Sequence, residues 1–172
     1  MKLETYIREF PDFPKHGISF KDISPLLMSP EAMSHVADEF SAHFPSESYD
    51  VIAGAESRGL IFASAFALRV GKSCIMVRKA GKLPGPTESI EYGLEYSEGI
   101  LEIQKDAIAP GQRVLIVDDL LATGGTARAA RMLIEKVGGK VIGYAFVIEL
   151  NYLKGREVIG NYNVKTLLNY DN

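Results

Sequence analysis

Val114-Leu115-Ile116-Val117 is a run of four branched apolar residues with no polar residue among them. A strand built from it has no face to show to water, so both faces need cover, as in the interior of a parallel sheet. The rest of the chain supplies suitable neighbours. VIAGA at 51–55 and CIMV at 74–77 are short apolar runs, and residues 141–150 form a longer one. Helix-sized segments separate them. Ser29 followed by Pro30 reads as an N-cap and a first-turn proline, opening a helix to about Phe44. Residues 59–70 are apolar and long enough for a second helix. Ala130, Leu133, Ile134 and Val137 recur at the spacing of one helical face.

Strand and helix alternating in this way predict an α/β fold, a twisted and mainly parallel sheet with helices on both faces. A short N-terminal helix is expected to lead into the Pro/Gly-punctuated loop PDFPKHG. Residues 78–88 read as loop and 89–104 as a hairpin, with IEYGLEY and GILEIQ as its arms. No repeat, low-complexity tract or linker divides the 172 residues, which predicts one domain over 1–172.

Open parallel sheets bind ligands beyond the carboxyl ends of their strands. The residues after Ala55, Val77 and Val117 are therefore the candidates. After Val117 come Asp118 and Asp119, two leucines, and then Ala122, Thr123, Gly124, Gly125 and Thr126 at the start of a helix. Small residues let backbone N–H groups converge, and a helix N-terminus adds unpaired N–H groups and a positive dipole end. This is a phosphate cradle, with the Thr123 and Thr126 hydroxyls as further donors. The two aspartates would repel a phosphate, so hydroxyls or a metal belong beside them, and a sugar phosphate satisfies both halves. The plainer alternative is an acidic surface turn ahead of a helix. GAESRG at 54–59 is followed by Leu60, so it is no P-loop, and no G-x-G-x-x-G follows a strand. Arg58 stands where it could clamp phosphate oxygens, or it could be a surface arginine paired with Glu56. Arg78, Lys79 and Lys82 put three cations within five residues ahead of Gly85, which reads as a mobile basic lid. Elsewhere such a run would be only a solvated loop.

Net charge is −3, from 19 basic and 22 acidic residues, so no global field attracts nucleic acid. The single cysteine, Cys74, can form no internal disulfide, which points to a reducing cytoplasm; its apolar setting in SCIMV predicts a buried thiol. MKLETYIREFPDF has no signal-peptide core, and no stretch reaches the roughly 18 apolar residues of a membrane span. A soluble protein without nucleic-acid or membrane partners is expected. His16, His35 and His43 show no metal-ligand spacing.

VLIVDDLLATGGT resembles the phosphoribosyl pyrophosphate signature of type I phosphoribosyltransferases. FPDFPKHGISFKDISPLL, AESRG, RKAGKLPGP, LEYSEGILEIQKDAI and VIELNYLKGRE, in that order, are similar to the adenine branch of that family from Phe10 to about Glu157. The resemblance implies transfer of a phosphoribosyl group to adenine, giving AMP and pyrophosphate, with Mg²⁺ carried by substrate and no direct protein cage. It implies a small N-terminal hood at about 1–30, a lid loop and hairpin at about 78–105, and a cytoplasmic homodimer. By the same resemblance, residues 122–126 hold the 5-phosphate, and Asp118 and Asp119 face the ribose hydroxyls, one of them reaching Mg²⁺ through water. Glu56, Ser57, Arg58, Arg78, Lys79 and Lys82 face the pyrophosphate, and the Glu56–Ser57 peptide is expected to be cis. Phe20 stacks on adenine while the backbone of Ser19 and Lys21 reads its edge. Better-known members carry Val and Arg at these flanks. Glu95 handles the purine proton and Tyr96 orders the closed lid; Ser97 stands where a glycine is common. Two other readings remain open: a phosphoribosyltransferase for another base, and a non-catalytic regulator sensing the sugar pyrophosphate. Such regulators usually add a DNA-binding module, for which 172 residues leave no evident room.

Overall fold

Local sequence decides where most elements begin, and long-range pairing decides where they end. The computed structural model describes residues 1–94 and 97–171. A 3-10 turn at Leu3–Tyr6 precedes two short strands, β1 (Arg8–Phe10) and β2 (Phe20–Asp22), which pair antiparallel with Glu9 opposite Lys21. Helices α1 (Ser24–Leu27) and α2 (Pro30–His43) follow, then β3 (Val51–Ala55), α3 (Gly59–Val70) and β4 (Ser73–Lys79). The hairpin is β5 (Thr87–Leu94) and β6 (Ser97–Gln104). The order ends with β7 (Arg113–Leu121), α4 (Gly125–Lys136), β8 (Lys140–Leu150), a short α5 (Gly155–Ile159) and β9 (Asn163–Tyr170).

The main sheet has seven strands in the order β5-β6-β4-β3-β7-β8-β9. From β4 to β9 the strands run parallel, and the hairpin joins antiparallel where β6 meets Arg78 and Lys79 of β4. Alternate residues of β7 face opposite sides, as a strand's twofold period requires. Leu115 and Val117 lie in a core with Phe40, Phe62 and Phe66 of α2 and α3, while Val114 and Ile116 lie in a second with Ala130, Leu133 and Ile134 of α4. The branched run is at most 1 % exposed, so helices do cover both faces. Each such side chain contributes about 1.5–3 kcal/mol of burial.

Several elements depart from the sequence reading. β7 does not stop at Val117. Asp118 pairs with Phe146 and Leu120 with Ile148 of β8, so the ladder carries the chain through both acids to Leu121. Arg78 and Lys79 are strand, not loop, because β6 supplies partners for them, and β5 begins already at Thr87. Cys74 is exposed, against the expected burial. β6 pairs with β4 only at Arg78 and Lys79, so the half of β4 that holds Cys74 is an open sheet edge. The N-terminal helix is only a 3-10 turn, and β1, β2, α5 and β9 were not anticipated. Among the described residues no helix is long and apolar enough to cross a membrane.

Helix α2 starts as its sequence signal indicates: Pro30 occupies the first turn and Ser29 Oγ accepts a hydrogen bond from the Ala32 N–H at 3.2 Å. Helix α3 stops at Gly71, whose φ of 66° suits a left-handed cap. Ser29→Ala should cost about 1 kcal/mol, lowering the thermal midpoint by roughly 2–4 °C with turnover unchanged, as read by calorimetry beside an activity assay.

Candidate active site

The registers bring three strand ends level. Ala55 lies opposite Val77, and Gly54 opposite Val117. The segments that follow converge on a cavity of about 280 Å³, lined by Glu56, Ser57, Arg58, Lys79 and residues 118–127. A larger cavity of about 600 Å³ lies between the hairpin and α4 and shares Thr123 and Gly125 with it. That space is walled mainly by side chains such as Ile90, Met132 and Val158. The smaller cavity holds the paired acids, Arg58, Lys79 and the whole of the small-residue loop, and is therefore the candidate site.

Asp118 and Asp119 are 8 % and 5 % exposed. Asp118 Oδ1 accepts the Asp119 N–H at 2.8 Å. Burial pushes the Asp118 carboxyl well above the usual carboxylate range, the neighbouring Asp119 charge adds to this, and Arg58 opposes it. Arg58 Nε lies 2.9 Å from Asp119 Oδ2. The approach satisfies charge but not hydrogen-bond direction, leaving that buried oxygen with unused acceptor capacity. Gly59, the first residue of α3, is part of the arrangement, since a Cβ there would collide with Asp118 Oδ1. Nothing in the sequence singled this glycine out.

The cationic side is organised around Glu56. Its Oε2 accepts the Lys79 N–H at 2.7 Å, and Arg78 Nη2 donates to Oε1 at 3.4 Å. Burial works against the Glu56 charge, but these donors outweigh it and hold the carboxyl below its ordinary range. Arg58 is therefore not the partner of Glu56. The Glu56–Ser57 peptide is cis. Lys82 is exposed and does not line the cavity; its carbonyl accepts from Arg78 Nη1 at 3.2 Å. Across the cavity Gly124 sits at φ 82°, and no side chain caps the start of α4. The first N–H groups of that helix consequently remain available.

The base-facing candidates come from β2 and its approach. Phe20 is half-buried, with the Arg58 guanidinium 5.4 Å from its ring centre and Phe13 edge-on at 5.2 Å. Lys21 is 6 % exposed. Its Nζ lies 2.8 Å from Glu9 Oε1 and 4.1 Å from the Tyr170 ring centre. Ser19 Oγ donates to Glu9 Oε2 at 3.3 Å, so one carboxylate engages both flanks of Phe20. Glu9 and Tyr170 escaped the sequence reading, because only the β1–β2 register and the last strand bring them here. Glu95 and Tyr96 lie outside the described residues.

Residues 24–171 match the family model described as phosphoribosyl transferase domain. The chain is 56% identical over 170 residues to an adenine phosphoribosyltransferase of Nitrosopumilus maritimus, covering 99% of this chain and 100% of that one. Its identity to the Cenarchaeum symbiosum adenine phosphoribosyltransferase is 52% over 170 residues, covering 99% and 100%. The crystal structure of adenine phosphoribosyltransferase from Thermoanaerobacter pseudethanolicus superposes with TM-score 0.94 at 45% identity over 98% of each chain. The Saccharomyces cerevisiae enzyme, crystallised with adenine and an imino-altritol bisphosphate, gives TM-score 0.92 at 43% identity over 97% of each.

The Asp118 shift has a measurable sign. A carboxyl whose folded pKa is raised stabilises the fold fully below its unfolded pKa of about 3.9, and that stabilisation is lost as pH rises towards the folded value. Asp118→Asn keeps the Oδ1 acceptor and removes the titration. Its thermal midpoint should match the parent at the acid end, below about pH 4, and exceed it as the pH rises from there towards the folded-state pKa. A pH-independent difference between the two melting curves would refute the shift.

Proposed function

The chain belongs to the adenine phosphoribosyltransferases of the phosphoribosyl transferase domain family, and we propose that it joins the phosphoribosyl group of 5-phosphoribosyl-1-pyrophosphate to adenine in purine salvage, releasing AMP and pyrophosphate. The observation that carries this reading is the division of the cavity. Two buried carboxyls lie between a small-residue loop at an uncapped helix start and a cluster of cations. A doubly charged sugar has that same layout, with phosphate, hydroxyls and pyrophosphate along its length.

In this reading Ala122, Thr123, Gly124, Gly125 and Thr126 bind the 5-phosphate through backbone N–H groups and hydroxyls. Asp118 and Asp119 take the 2- and 3-hydroxyls. As the anomeric bond to pyrophosphate breaks, positive charge builds on the ring, and carboxyls fixed in a water-poor cavity stabilise it without reorganising. Arg58, Arg78 and Lys79, with the backbone of Ser57, hold the departing pyrophosphate, and Lys82 joins them if the lid closes. Glu56 aligns Arg78 and the Lys79 backbone for that task. Phe20 stacks on the purine, contributing on the order of 1–3 kcal/mol, while the backbone at Ser19 and Lys21 reads its edge. Glu95 takes the proton lost by the attacking nitrogen and Tyr96 orders the lid.

Mg²⁺ fits the donor set. The spare acceptor capacity of Asp119 Oδ2 suits a hydrated ion that arrives with the substrate, as Mg²⁺ prefers. Bound there, the ion would neutralise the leaving pyrophosphate. Residues 1–30 act as hood and 78–105 as lid within one domain over 1–172. We place the protein in the cytoplasm, which suits the unpaired, exposed Cys74 thiol. It acts as a homodimer, for which exposed Ile61 and Leu68 of α3 and Met76 on the open edge of β4 offer apolar surface.

Conversion of labelled adenine in the presence of Mg²⁺, with guanine, hypoxanthine, xanthine and orotate as parallel substrates, tests the assignment. Only adenine should turn over, and chelation of Mg²⁺ should stop it. Arg58→Ala and Asp119→Ala should each lower turnover by roughly a hundredfold or more while leaving the circular dichroism spectrum unchanged. Glu95→Ala should depress kcat more than it raises the KM for adenine. Parental activity in the first two variants would place the site elsewhere.

A further inference from the structure

The 122–126 loop carries the proposed 5-phosphate contacts, yet among the described residues no side chain hydrogen-bonds to it. What fixes its shape lies outside the cavity, in the segment LKGRE that follows β8. At two points the loop and α5 approach too closely for a side chain. A Cβ on Gly124 would come 2.6 Å from the Gly155 carbonyl oxygen and 3.0 Å from Val158 Cβ. A Cβ on Gly155 would collide with the Ala122 carbonyl oxygen and come 2.9 Å from Leu121 Cδ1. Gly155 thus stands where a side chain on Gly124 would have to go, and Ala122 and Leu121 stand where a side chain on Gly155 would have to go.

Gly155 is itself anchored. Its neighbour Arg156 donates from Nε to Glu149 Oε1 at 2.8 Å and from Nη2 to Glu149 Oε2 at 2.8 Å, with Thr166 Oγ1 a further 3.3 Å partner of Nη2. Glu149 is 5 % exposed and is the strand partner of Leu121, the last residue before the loop. The path therefore closes on itself: Leu121 to Glu149 across the ladder, Glu149 to Arg156 through the fork, Gly155 back onto Ala122 and Gly124. A two-pronged guanidinium–carboxylate contact fixes angle as well as distance, which a lysine would not do.

We propose that Gly155, Arg156 and Glu149 are positioning residues for the 5-phosphate loop, setting from outside the cavity the spacing of the N–H groups that receive the phosphate. The proposal rests on the reading of residues 122–126 as the 5-phosphate site. Such residues act through the loop, so their loss should be felt at one end of the substrate only. A shift of about an ångström in a phosphate cradle is enough for a large loss.

Calorimetric titration of the whole protein with ribose 5-phosphate and, separately, with pyrophosphate makes the test. Gly155→Ala should weaken ribose 5-phosphate binding by about tenfold or more, with pyrophosphate affinity and the KM for adenine within about twofold of the parent. Arg156→Lys should fall between the parent and Arg156→Gln, and this pair decides the matter if Gly155→Ala does not fold. Equal losses for both ligands would reduce these residues to general structural support and overturn the proposal, as would unchanged ribose 5-phosphate affinity. Thr126→Val separates the two levels. If it leaves ribose 5-phosphate binding intact, the loop assignment fails and the proposal with it. If it weakens binding while Gly155→Ala and Arg156→Gln do not, only the positioning role fails.

Discussion

A charged side chain taken out of water costs several kcal/mol unless partners meet it. Among the described residues four are buried: Lys21, Asp118, Asp119 and Glu149. None is left to itself. Lys21 has Glu9 and the Tyr170 ring, Asp119 has Arg58, Asp118 has the Asp119 N–H, and Glu149 has the Arg156 fork. All four lie at the candidate site or in the elements that hold it. The apolar cores set the sheet, and these buried charges set what stands at its edge.

The sheet and the site are joined by register. Because β3, β4 and β7 are neighbours in parallel, their carboxyl ends come level and deliver Glu56, Arg78 and Asp118 to one place. The contacts between these segments then cross from strand to strand: Glu56 of the β3 end binds the Lys79 backbone of β4, and Arg58 reaches Asp119 of β7. A slip of one residue between β3 and β4 would break the first contact, and a slip between β3 and β7 the second, because each turns side chains to the opposite face. The long apolar run of β7 guards against this, since such a slip would also unpack both cores.

The sequence made the central strands, the three longer helices and the small-residue loop legible, because each carries a local signal: an uninterrupted apolar run, a proline behind a serine cap, a helical stripe, glycines at a helix start. Strand ends were less legible. Asp118 and Asp119 read as the close of a strand because they are charged, but their backbone is ordered by β8, whose register is invisible locally. Cys74 erred in the other direction. Its neighbours are apolar, yet burial depends on what covers the sheet edge, and β6 arrives only at Arg78. Glu9, Tyr170 and Gly155 were missed for one shared reason: each matters through a residue far away in sequence or beyond the cavity wall.

Arg58 shows why these parts cannot be considered singly. Its Nε stands 2.9 Å from Asp119 Oδ2, while its guanidinium lies 5.4 Å from the centre of the Phe20 ring. The same cation therefore touches the acid that would face the ribose and the aromatic ring that would stack on the base. Cation–ring attraction contributes about 0.5–1 kcal/mol at exposed sites and about 2 kcal/mol when desolvated, so a purine that shields this contact from water strengthens it. The ion pair with Asp119 gains by the same loss of screening. If base and sugar bind as proposed, binding at the base end would tighten the grip on the carboxylate at the sugar end, through one guanidinium that needs no movement of the sheet to do it.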